Sequence, residues 1–251
     1  MAEFFAGCLL DRLPGPRGQH PQRFYEFAPR QPLPSLGTLA RFRKQATKWP
    51  QLSLVAPKTT WTTPKGPLRP GAELDAGVDW LTRVSDIVSA FAIVIATGAE
   101  LTTGDRDREL LANFVERLKP TGRTLVIAPR GLWEPEHGAP FAAQIGAVYG
   151  FDPLEHEAPE GALLYGRVRP MGARPRLTPG HLAQIAERVV AAGAERSFIA
   201  IESEQCSKES KRLAQELSEQ AELAVSEVDD EDDEEEDSVD EEESEEEEDE
   251  E

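Results

Sequence analysis

An α/β barrel is the fold expected of this chain, on three observations. From residue 50 onward, short runs rich in Val, Ile and Leu alternate with longer amphipathic segments, the order of parallel strands joined by helical crossovers. Two further apolar runs, with a helical segment after the second, precede that alternation. The 251-residue length suits one such domain. Together they predict a TIM-type (β/α)8 barrel.

Strands are predicted at residues 3–10 (EFFAGCLL), 23–27 (RFYEF), 51–56 (QLSLVA), 92–96 (AIVIA), 123–128 (RTLVIA), 150–152 (GFD), 162–168 (ALLYGRV) and 197–201 (SFIAI). Helices are predicted near 35–48, 74–90, 106–118, 138–148, 178–193 and 206–223. Thr178-Pro179 supplies an N-cap with proline at the first helical position. The stretch DRLPGPRGQHPQ, residues 11–22, holds three prolines and two glycines. It cannot be a helix, so the first crossover is expected to be a loop and the first helix of the barrel to be missing.

The formal charge of -20 is local: residues 227–251 hold 21 of the 47 acids and no base, which leaves 26 acids against 27 bases in the body. Such a segment repels itself and has almost no apolar surface to bury, so residues 225–251 are predicted to be a disordered acidic tail and residues 1–224 the barrel domain. An acidic tail serves as a solubility device or as a docking arm for a basic protein partner. Ser226, Ser238 and Ser244, each followed by acids, are candidate phosphorylation sites. Cys8 and Cys206 are too few for a disulfide framework, which points to a reducing, cytoplasmic setting. The first fifteen residues carry Glu3 and no basic leader, and their apolar run is too short to cross a membrane, so they read as neither signal nor anchor.

The order of motifs resembles a known family. LLYGRVRPMG, then a helix, then ERSFIAIESEQCSKESKRLAQEL is similar to the arginine-bearing seventh strand, eighth strand and final helix of the YecE-like proteins, domain-of-unknown-function family 72. Upstream, YEFAPRQPLPSLGTLARFRKQATKWPQLSLVAPK resembles that family's strand with Glu, proline-started helix and strand ending in an Ala-Pro turn. The likeness spans about residues 4–217 and implies a TIM barrel with no established reaction.

The departures fall at strand ends, where barrel enzymes place their chemistry. The family's fifth strand ends Glu-x-Arg-His before Ser-Trp, whereas this chain keeps Arg130 and Trp133 but has Ala128 and Gly131. The seventh closes Arg-x-His-Gly in the family and Arg167-Val168-Arg169-Pro170 here, and the eighth ends Ile201-Glu202-Ser203 instead of in an Asn pair. A Gly-Trp-rich first loop is replaced by GCLLDRLPG. A site that has shed histidines and amides while keeping arginines has lost its obvious proton-transfer groups.

Lys58, Arg130, Arg167 and Arg169 all lie at C-terminal strand ends or the turns after them, and are the candidate anion-binding set, since an arginine fork matches carboxylate or phosphate. Arg167 and Arg169, two apart, share a face. Against this stands a structural reading in which Arg130 and one of Arg167 or Arg169 pair with Glu100, Asp152 or Glu202 at the rim. Glu202 is the candidate catalytic base. WEPEHG and DPLEHE bring His137 and His156 among acids after two strands, but acidic proline-rich loops are ordinarily solvated and no metal is expected. His20 and His181 have no evident partner. No phosphate-loop glycine spacing or Ser-His-Asp elbow is present, and no cofactor is expected. Arg41, Arg43, Lys44 and Lys48 stripe one helix, but a body charge of +1 gives little steering toward nucleic acid, which is not an expected partner; nor is a membrane.

Three functions remain open. The barrel acts as an anion-binding or protein-interaction module with an eroded family site; or it is a hydrolase or lyase on a phosphorylated or carboxylated small molecule, with Glu202 as base; or it is the scaffold of a tail-driven assembly factor.

Overall fold

A computed structural model describes residues 2–13, 22–45, 49–129, 133–169 and 176–236. Eight parallel strands close into a barrel: β1 (Glu3–Leu10), β2 (Phe24–Phe27), β3 (Gln51–Val55), β4 (Ala92–Ile95), β5 (Thr124–Ile127), β6 (Val148–Phe151), β7 (Leu163–Val168) and β8 (Arg196–Ile201). Each strand pairs with its sequence neighbours, and β1 meets β8 in register, Phe5 beside Phe198 and Cys8 beside Ile201. The helices are α1 (Leu36–Gln45), α2 (Ala72–Ile87), α3 (Asp105–Leu118), α4 (Pro135–Gln144), α5 (Pro179–Ala191) and α6 (Cys206–Glu236). A short hairpin, Thr62–Thr63 with Gly66–Pro67, sits between β3 and α2.

The predicted elements are all present, with shifted ends. Helix α4 starts at Pro135 instead of residue 138, because proline preset for the helix stands at its first position. It ends at Gln144, since Gly146 turns the chain with φ 76°, and β6 then begins at Val148 instead of residue 150. The crossover after β6 carries no helix, residues 152–162 being turns and irregular chain. Residues 14–21 of the first crossover lie outside the described residues. Helix α6 runs through Glu236, so the expected boundary at 224/225 falls inside it. No described helix is long and apolar enough to cross a membrane.

Two sequence expectations need correction. Cys8, near the end of β1, and Cys206, the first residue of α6, are bonded as a disulfide with their Cα atoms 5.4 Å apart. The barrel closure that sets β8 beside β1 brings them together across 198 residues, and the compartment argument drawn from the cysteines loses its basis. His181 does have a partner: Thr178 Oγ1 accepts from the His181 backbone N–H, and His181 Nδ1 accepts from the Thr178 N–H, a reciprocal cap on α5.

The barrel interior is graded from bottom to top. Phe5 stacks on Phe198 with centroids 4.6 Å apart, and Phe24 meets Tyr165 edge-on at 6.2 Å. Arg23 lies over the Phe5 ring and Arg196 over the Phe198 ring at the N-terminal end. Above the aromatics the inward positions shrink to Ala128, Gly150 and Ala200. That taper leaves the C-terminal end open as a cavity.

Candidate functional site at the barrel mouth

The mouth is built on one level of the barrel, where register places Leu9 beside Glu26 and Arg167 beside Ala200. Alternation along β7 turns both Tyr165 and Arg167 inward, two residues apart. Tyr165 spans the interior to bond the Ser53 hydroxyl at 2.5 Å, and Ser53 is the register neighbour of Glu26. One step higher, Arg167 Nε donates to both Glu26 oxygens, at 2.7 and 2.9 Å. Glu26 is wholly buried. Among the described residues, the two terminal nitrogens of Arg167 have no hydrogen-bond partner.

Burial pushes the Glu26 carboxyl up, opposed by the Arg167 charge and its hydrogen bonds. For Arg167, burial disfavours the cation, but attraction to Glu26 outweighs it and the guanidinium is held more firmly charged than usual. The pair is therefore an ion pair fixed at the base of the cavity, with the arginine Nε committed to Glu26 and, among the described residues, both terminal nitrogens left without a partner.

Arg169 lies just past the end of β7 and turns to Glu202, just past β8, with Nε 2.6 Å from Oε2 and a second, shorter bond from Nη2. Both side chains are more than 40% exposed. Lys58 meets Glu100 at 2.9 Å, also exposed, and Arg30 meets Asp11. Thus each described candidate cation has an acidic partner. Of the arginine pairings expected at the rim, that of Arg169 with Glu202 is present; Glu100 takes Lys58 instead of an arginine, and the partner of Arg167 is Glu26, which sequence reasoning did not place in the site.

Two lobes open between these groups. One, about 350 Å³, is lined by Glu26, Asp152, His156, Arg167, Arg169 and Glu202 among others. The second, about 420 Å³, takes in Arg30, Lys58, Thr97 and Glu100, and shares Leu9, Arg167, Arg169 and Glu202 with the first. Each volume is within the size of small-molecule pockets. Lys58, Arg167, Arg169 and Glu202 thus surround one lobe, while Arg130 lies outside the described residues. Trp133 and Tyr149 close the wall with their polar ends already used, the indole on the Leu101 carbonyl and the phenol on the Trp133 carbonyl. Burial pushes the Tyr149 phenol up to about 12, with Glu134 adding to the effect.

Asp152 sits on the first lobe after β6. Burial raises its pKa, against backbone N–H bonds from Leu154 and Arg169. His156 lines the same lobe, its Nε2 3.9 Å from Glu155, whereas His137 is on α4 and does not line it. Among the described residues no group of three or more His, Cys, Asp or Glu could hold a metal ion.

No protein-family model matches the sequence, and no curated protein matches it. Solved structures do. A domain-of-unknown-function family 72 protein from Enterococcus faecalis V583 superposes with a TM-score of 0.59 at 11% identity, over 80% of this chain and 85% of that one. The shared fold is the TIM barrel. A xylose isomerase-like TIM barrel/4-hydroxyphenylpyruvate dioxygenase fusion protein gives 0.59 at 10% identity, over 91% of this chain and 45% of that protein. A xylose isomerase domain protein from Planctomyces limnophilus gives 0.51 at 12%, over 80% and 87%. At such identities the likeness concerns the barrel and not its chemistry.

Proposed function

We propose that the chain binds a small anionic molecule, carrying a carboxylate or phosphate, at the C-terminal mouth of its barrel. One observation carries this reading: Arg167 is locked by Glu26 through Nε and, among the described residues, its terminal nitrogens have no protein partner at a cavity. An arginine whose geometry is already fixed loses less freedom when it takes a planar anion. Arg169 and Lys58 line the shared lobe and add positive charge that can be redirected from exposed acids. The test is isothermal titration of the full chain with inorganic phosphate and with malonate. Saturable binding that is lost in Arg167→Gln and weakened in Arg169→Gln supports the reading; no binding of either anion, or binding indifferent to both changes, overturns it.

A second reading concerns the acidic segment, because residues 227–251 carry 21 acids and no base. That segment serves as a docking arm for a basic protein, by an attraction that salt screens over about 10 Å at 0.1 M. Pull-downs with a basic protein, by the full chain and by one ending at residue 224, test it: equal recovery from both overturns it.

A further inference from the structure

The pairing at the rim assigns a role to Glu202 that deepens the anion reading and rests on it. We infer that Glu202 is a tethered competitor for the ligand: its carboxylate occupies the Arg169 fork in the empty site and is displaced when an external anion binds. The two arginines of the mouth differ in the way this requires. Arg167 shares its Nε with a carboxylate that is wholly buried and has nowhere to go. Arg169 offers both Nε and Nη2 to one oxygen of a carboxylate that is 41% exposed, on the first residue after β8. A buried pair resists opening because each charge would be stranded, whereas an exposed pair holds only weakly.

Position makes the displacement consequential. Arg169 and Glu202 are among the few residues that line both lobes, so their contact stands between the space beside Asp152 and the space beside Lys58. Opening it leaves Arg169 available beside Arg167, which also lines both lobes. A monoanion small enough for one lobe gains little from this. A ligand with two anionic or polar ends reaches both arginines only after Glu202 has moved. The site therefore selects for a bifunctional anion, such as a dicarboxylate or a phosphorylated acid, over a simple one.

Titrating wild type, Glu202→Gln and Glu155→Gln with malonate and with inorganic phosphate tests this. Glu155 lines the same first lobe, so its variant removes one negative charge without freeing Arg169. Glu202→Gln should bind malonate about fivefold more tightly than wild type, the weight of an exposed ion pair, and Glu155→Gln should gain distinctly less. Equal gains in the two variants would show a general field effect and overturn the competitor. Weaker binding in Glu202→Gln, with wild type still binding, would make Glu202 part of the ligand's own contacts and overturn it too. Binding by none of the three proteins would remove the anion reading and this inference together. Thermal melts of each variant confirm that the fold is kept.

Discussion

Glu26 and Arg167 face each other across the barrel from β2 and β7, the guanidinium Nε within 2.9 Å of both carboxylate oxygens and the carboxylate without exposure to solvent. Removing one partner leaves the other charge buried. Glu26→Leu should destabilise by about 3–5 kcal/mol in urea titration, whereas Glu26→Leu with Arg167→Met should recover most of that loss. A double variant no more stable than the single would mean that the pair is not the source of the cost.

Tyr165 and Ser53 form the hydrogen bond beneath that pair. Tyr165→Phe strands the Ser53 hydroxyl in a buried setting and should cost about 1–3 kcal/mol. Adding Ser53→Ala to it should return part of the stability, as the orphaned group is removed. The check is a double-mutant cycle from urea midpoints.

Asp152 is raised in the folded chain from its ordinary value of 3.8, by burial. A raised carboxyl favours folding only while it is protonated. The favourable contribution is complete below that ordinary value and is lost as pH rises through the folded-state pKa. Asp152→Asn should therefore match wild type at about pH 3 and exceed it in stability at about pH 7, once the carboxylate is charged. Urea midpoints at the two ends of that range decide it, and a variant less stable at the upper end would contradict the assignment.

Cys8 and Cys206 join β1 to α6. Peptide mapping without reductant should recover one cross-linked pair containing both residues. Cleaving it with reductant should lower the unfolding free energy by about 2–4 kcal/mol, mainly by releasing a constraint on the unfolded chain.

The barrel was legible because buried parallel strands read as apolar runs and the helices between them as amphipathic segments. The order of motifs further reached the family 72 likeness that the fold bears out. The rim pairs were half legible: Arg169 with Glu202 follows from strand ends that share one mouth, whereas Glu100, expected to take an arginine, takes Lys58. Glu26 was the signal passed over. A lone charge inside FYEF, with all four residues buried, can be satisfied only from across the barrel, and Arg167 is the inward cation at that level. The disulfide was not legible, because contact between residues 198 apart depends on closure of the sheet and not on local pattern. Nor was the cap formed by His181, which rests on a side-chain nitrogen reaching back one turn.

The central claim is that Arg167, held in place by Glu26, receives an anion at the mouth through its terminal nitrogens. Native mass spectrometry of the full chain incubated with malonate, beside the Glu26→Leu, Arg167→Met double variant, tests it most directly. One retained anion per chain in wild type, absent from a double variant that still melts cooperatively, is the predicted result. Equal retention by the two proteins would contradict it.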